Sequence, residues 1–145
     1  MTLYRIYLCG GMNKFGKENF EEGNSWRVYC KKTLEACDSR FIVSVCNPND
    51  YFNFIDEPPA YKTQSEVMKF DLYQLRHSDL VIVNFNDISS LGSMSEIAIA
   101  YDRKIPVIGL NSNKQKLHPW QECMCERIFE NIDEMLDYVE DFYLK

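Results

Sequence analysis

Apolar residues along this chain fall into short β-branched or aromatic runs, separated by stretches with helical spacing. "LYRIYLC" at residues 3–9 ends at Gly10-Gly11 and predicts a first strand. Phe20, Trp26, Tyr29, Leu34 and Cys37 then recur at mixed spacings that predict a helix from about Asn24 to Cys37. "FIVSVCNP" reads as a second strand stopped by Asn47-Pro48. "NDYFNFIDEPPAYKT" has turn residues and aromatics without a period, which predicts a long loop, and long loops in compact domains tend to be functional. "QSEVMKFDLYQLRHS" predicts a helix, "DLVIVNF" a third strand, Ser93 to Asp102 a further helix and "IPVIGL" a fourth strand. In the tail from Trp120 to Tyr143, residues Ile128, Phe129, Ile132, Met135, Leu136, Val139 and Phe142 have helical spacing and predict two helices.

Strands that alternate with helices, two of them apolar enough to be covered on both faces, indicate βαβ units. The expected architecture is an α/β fold of flavodoxin- or Rossmann-like type, with a parallel sheet of four to five strands and helices on both faces. A chain of 145 residues without a repeat or linker fits a single domain over residues 1–145. In such sheets ligands bind beyond the carboxyl ends of the strands. That rule selects Cys9 to Met12, Asn84 to Gly92 and Asn111 to Asn113, all of them turn-like and polar or glycine-rich.

Composition narrows the partners. A net charge of -6 and a pI near 4.9, with scattered Lys and Arg, disfavour a nucleic-acid polymer, whose backbone calls for clustered cations. No apolar run approaches a membrane span and the amino terminus lacks the regions of a signal peptide, so no membrane is expected and the location reads as cytoplasmic. The six cysteines then read as reduced thiols. Cys123-x-Cys125 with His118 nearby matches structural zinc spacings poorly, and neither a metal nor a cofactor is expected.

Two acids have two readings each. Ser93-Met94-Ser95-Glu96 fits a capping box, in which the Glu96 side chain reaches back to the Ser93 N–H. Alternatively Glu96 is an anion held near a helix start at the ligand-binding edge, which is what a glycosidic nucleophile must be. Asp71 lies on or beside the apolar stripe formed by Val67 and Leu75, with Met68 and Leu72 flanking. It either points into a polar cleft or is satisfied by a local hydrogen bond or Lys69. Asp79 reads as a turn residue, Asp87 as a solvated loop residue near the sheet edge, and His118, before a proline, as an aid to a helix start.

"IYLCGGM" after a first strand, "NP" after the second, "FDLYQLRHSDLVIVNF" and "SLGSMSEIAIAYDRKIPVIGL" together resemble the nucleoside 2-deoxyribosyltransferase-like family. Its members include deoxyribosyltransferases and 2'-deoxynucleoside 5'-monophosphate N-hydrolases. The resemblance implies that Glu96 is the nucleophile and that Asp71 orients the sugar and assists the leaving base. It implies that Tyr7, Gly10 and Gly11 line the same pocket. Ser90 falls where the hydrolases place a phosphate-contacting serine and some transferases an acid; either Asp87 replaces that acid, or water and Asp71 suffice. Gly92, Ser93 and Asn111 complete the expected binding edge. The implied partner is a small nucleoside or nucleotide, bound by a homo-oligomer. The loop from Tyr51 to Tyr61 is a candidate for stacking the base.

Overall fold

The computed structural model describes residues 1–12, 20–51 and 62–145. Strands β1 (Leu3–Gly10), β2 (Ile42–Cys46), β3 (Leu80–Asn84), β4 (Val107–Leu110) and β5 (Arg127–Phe129) form one parallel sheet in the order β2-β1-β3-β4-β5. Between and after them run α1 (Phe20–Ala36), α2 (Gln64–Arg76), α3 (Leu91–Asp102), α4 (Pro119–Met124) and α5 (Ile132–Val139). The fold is the expected α/β sheet with helices on both sides.

The strand sequences explain this layering. β1 from Ile6 to Cys9 and β3 from Leu80 to Val83 are buried without interruption, because each has a helical layer on both faces. Alternation then assigns each side chain to one layer. Ile6, Leu8, Leu80 and Ile82 pack with Trp26, Cys30 and Leu34 of α1 and with Met135, Leu136 and Val139 of α5. Tyr7, Cys9, Val81 and Val83 pack with Leu75 of α2 and with Ile97 and Ala100 of α3. Among the described residues, no helix is long and apolar enough to cross a membrane.

Three expectations need correction. α1 begins at Phe20 rather than near Asn24. Ile128 and Phe129 are not helical: they pair with Gly109 and Leu110 in a parallel ladder and form β5. A strand of three residues is too short to show alternation, and its unpaired-edge partner β4 supplied the reason for it to exist. α3 begins at Leu91 rather than Ser93, a change with consequences for the acid that follows.

The order of the sheet fixes where a ligand belongs. β2 lies on one side of β1, and β3, β4 and β5 lie on the other, so the winding reverses between β1 and β3. Gly10 is registered with Asn84, which brings the two strands level at their carboxyl ends. The crevice beyond that edge is the expected binding position for this topology.

Candidate active site

β1 places Tyr7 and Cys9 on the face covered by α2 and α3, two residues apart and both essentially sealed from solvent. α2 supplies Asp71 from the same side as its buried Val67 and Leu75. The apolar stripe therefore does carry an acid inward, and its Oδ1 is enclosed without a hydrogen-bond partner. Local satisfaction of that oxygen, the other reading open in the sequence, is not what is found.

The start of α3 removes the capping reading of Glu96. Ser90, not Ser93, is the N-cap: its backbone is extended and its hydroxyl accepts from the Ser93 N–H at 3.3 Å. The Ser90 hydroxyl also donates to Ser93 Oγ at 3.0 Å. The capping box predicted over Ser93 to Glu96 is thus absent, because the helix starts earlier and Glu96 falls in its second turn. Released from capping, the Glu96 carboxyl turns toward β1. Cys9 Sγ lies 3.8 Å from Glu96 Oε1 and 3.6 Å from the Ser93 carbonyl, and Tyr7 donates its hydroxyl toward the same carboxylate. Glu96 Oε2 is enclosed and has no partner.

Two acids that share a low-dielectric site disturb each other and their neighbours. Burial pushes the Glu96 carboxyl up to about 7, and the nearby Asp71 charge adds to the rise. The Tyr7 hydroxyl, the Arg27 guanidinium and the Cys9 thiol oppose it. Burial likewise pushes Asp71 up to about 6, against the opposing charge of Arg27. Tyr7 is held well above the ordinary phenol range by burial and then by Glu96 and Asp71, so it stays a donor. Cys46, registered beside Tyr7 on β2, is pushed up to about 12 by burial and next by Asp71. Its thiol is no nucleophile at neutral pH.

The glycines at this edge are there for close approach. A Cβ on Gly10 would stand 2.8 Å from Trp26 Cζ2, and one on Gly11 would stand 2.7 Å from Asp87 Cβ. The Gly11 N–H is held by Asn86 Oδ1 at 3.0 Å. Asp87 caps its own turn, accepting from the Ser89 N–H and hydroxyl through Oδ1. Gly92 is open to solvent with nothing near its α-carbon substituent.

Not every residue singled out in the sequence comes to the same place. Tyr7, Asp71 and Glu96 converge, and Ser93 meets them through Cys9, while Gly10 lies against Trp26 and Gly11 against Asp87. Asn111 instead closes its own loop, bonding Gln115 through both ends of its amide. Asn84 points to the α1 face, where with Trp26, Asn86, Ser112 and Asn113 it lines a separate polar crevice of about 310 Å³. Asp79 accepts from the Arg5 N–H at 2.9 Å and His118 caps α4, both in the structural roles read from the sequence. Tyr51 packs its ring on Phe70 of α2 at 4.9 Å, while residues 52–61 of the expected stacking loop lie outside the described residues.

Sequence reasoning placed Cys9 at the binding edge without a role and passed over Arg27. Arg27 carried the same signal that flagged Asp71, a charge on an apolar stripe, since Gly23, Arg27, Cys30 and Leu34 all face inward from α1.

A family model described as nucleoside 2-deoxyribosyltransferase matches residues 6–139. The chain belongs to the nucleoside 2-deoxyribosyltransferase family. Membership points to an enzyme of nucleoside deoxyribosyl transfer or N-glycosidic cleavage. The fold is similar to that of a 2-deoxyribosyltransferase from Bacillus psychrosaccharolyticus, with a TM-score of 0.71 and 17% identity, over 92% of this chain and 91% of that one. It is also similar to a Clostridium botulinum CMP N-glycosidase, with a TM-score of 0.59 and 20% identity, over 97% and 99% of the two chains. A 2-deoxyribosyltransferase from Leishmania mexicana gives 0.66 at 13% identity, over 97% and 99%. At these identities the likeness is one of fold. No curated protein sequence matches the chain significantly, so the family pattern carries the relationship.

Proposed function

We propose that this protein, acting as one domain over residues 1–145, cleaves the N-glycosidic bond of 2'-deoxynucleosides and transfers the deoxyribosyl group to a second base. The supporting observation is a Glu96 carboxylate with one oxygen unpartnered, beside a second unpartnered acid, at the reversal point of the sheet. A Glu96 oxygen bonds to C1' as the bond from C1' to the base nitrogen breaks, and the electron pair leaves with the base. The base takes up a proton from solvent, with Asp71 assisting its departure. A nitrogen of the second base then attacks C1' and gives up its proton to solvent, and Glu96 leaves again as the carboxylate. The positive charge that develops on the sugar is offset by the two carboxylates, an effect strongest where water is excluded. Tyr7 holds Glu96 in orientation, and the Gly10-Gly11 turn lets the substrate approach the backbone.

An ionised nucleophile implies a pH dependence. With Glu96 near 7, kcat/KM falls as pH drops through about 7, because protonation removes the attacking lone pair. The Asp71–Glu96 pair titrates together, so the limb reports apparent values of the pair.

A nucleoside is favoured over a monophosphate by the cations at hand. Arg27, the cation that faces the pair among the described residues, is 2% exposed, with both Nη atoms engaged on carbonyls. The Ser90 hydroxyl is committed to its cap. A homo-oligomer in the reducing cytoplasm is part of this proposal. Tyr101 and Trp120 stand exposed around an apolar groove of about 440 Å³ between α3 and α4, and all six cysteines are free thiols.

Incubation with each 2'-deoxynucleoside and each 2'-deoxynucleoside monophosphate, with and without a different free base, followed by chromatography, tests the reading. Exchange of base on nucleosides is expected. Release of base without exchange makes the protein a hydrolase, and no product from any substrate leaves a nucleotide-binding module.

A further inference from the structure

α1 carries a charge where its periodicity calls for a hydrocarbon. Arg27 sits on the inward stripe with Gly23, Cys30 and Leu34 and is 2% exposed. A guanidinium does not shed its proton at any working pH, so at this depth it must find partners or anions. Its Nη1 donates to the Gly23 carbonyl and its Nη2 to the Gly10 carbonyl, each at 2.8 Å, and Nε has no partner. Among the described residues, no carboxylate forms an ion pair with it.

What Arg27 faces instead lies across β1. Tyr7 and Cys9 come from β1 itself, Asp71 from α2 and Glu96 from α3, with Cys30 beside it on α1. The packing puts α1 on one face of the sheet and α2 and α3 on the other. The guanidinium therefore acts on the acids by charge and not by contact, from the end of β1 where it holds the Gly10 carbonyl. Two acids in a site poor in water each resist ionisation of the other, and a single fixed cation in the same low-dielectric region offsets that resistance.

We infer that Arg27 is a positioning residue for the reaction: a buried positive charge that balances the Asp71–Glu96 pair from the opposite face of the sheet, while its bond to the Gly10 carbonyl ties α1 to the end of β1 and its bond to the Gly23 carbonyl, within α1, fixes the side chain's course. The inference rests on the reading of Glu96 as nucleophile. The direction of its effect is the same on both acids, since its charge opposes the rise that burial imposes on each. Loss of the charge therefore raises both and depletes the anion at neutral pH. Cys46 faces Asp71 and Glu96 from β2, but as a neutral thiol it supplies no balancing charge.

Three variants separate charge from scaffold. Arg27→Lys keeps the charge, Arg27→Gln keeps N–H donors for the carbonyls without it, and Arg27→Met keeps neither. Carbon-13 NMR follows the Asp71 and Glu96 carboxyl groups through a pH titration, assigned by their loss in Asp71→Asn and Glu96→Gln. Base exchange is measured over the same range. In the Gln and Met variants the carboxyl titrations and the acid limb of kcat/KM move up by about one pH unit, a loss of about tenfold at acidic pH that disappears toward alkaline pH. Arg27→Lys restores both to within a few tenths of a unit. Carboxyl titrations unchanged in Arg27→Gln, or a loss of equal size at every pH, overturn the inference. Where Arg27→Met does not fold, Arg27→Gln decides. Because the NMR titration needs no turnover, upward-shifted acids together with full activity in Glu96→Gln would sink the nucleophile assignment and leave the charge balance standing.

Discussion

Helices α3 and α4 both begin beside the binding edge, and they use the first long polar side chain after the cap in opposite ways. At α4, His118 is the cap and Gln121 reaches back: Gln121 Oε1 accepts from the His118 N–H at 2.7 Å, and its Nε2 donates to the Ile88 carbonyl at 3.1 Å. That side chain is fully occupied in holding a helix start. At α3 the cap is Ser90 and the corresponding position is Ser93, whose hydroxyl is absorbed into the same cap. Glu96 is left one turn deeper, with Oε2 bonded to nothing. A shift of three residues in where a helix begins thus separates an acid that would have served the backbone from one free to serve a substrate. The first arrangement stabilises, and the second leaves a buried carboxyl at a cost to stability.

Four substitutions, with five expected effects, break or sharpen this contrast, from the largest effect to the smallest. Glu96→Gln keeps the shape and removes the anion, and base exchange falls by about a thousandfold or more in steady-state assays. Asp71→Asn leaves the nucleophile in place and lowers kcat by about a hundredfold, in the range of assistance by a positioned acid or base. The same Glu96→Gln variant gains stability of order 2 kcal/mol in urea unfolding at neutral to alkaline pH. The sign follows from the raised pKa: protonation favours the folded state, so the penalty is absent below about 4.5 and complete above about 7, and the gain shrinks as pH falls through that window. Ser90→Ala removes the α3 cap and costs about 1 kcal/mol, with a loss of turnover below about tenfold because Glu96 remains on the helix. Gln121→Ala costs about 0.5–1 kcal/mol by the same urea measurement and leaves turnover within about twofold, the mark of a side chain used only for structure.

The layers of the fold were legible because burial on both faces writes an unbroken apolar run, as in β3, and burial on one face writes a stripe, as around Leu75 in α2. β5 was not legible, since Arg127 to Phe129 owes its strand to pairing with β4 rather than to its own pattern. The candidate site was legible in part for the same reason. Asp71 announces itself by interrupting a stripe, and Arg27 interrupts another in the same manner on α1. The start of α3 was misread because Ser90 and Ser93 are both good caps followed by apolar residues, and the choice between them depends on the turn before. The Ser90 N–H bonds the Asp87 carbonyl within that turn, and Gly11 packs on Asp87, a contact that joins segments far apart in sequence. Asn111 was misplaced for a related reason: a strand end marks the right edge of the sheet but not which loop its side chain will close.

The assignment of Glu96 is tested most directly by acid-quenching the protein during turnover of a 2'-deoxynucleoside and locating covalent adducts by peptide mass spectrometry. The account predicts one deoxyribosyl group on the peptide that contains Glu96, bound through its carboxylate, absent from Glu96→Gln and discharged when a second base is added. A deoxyribosyl adduct on another residue, or base exchange that persists undiminished in Glu96→Gln, would contradict it.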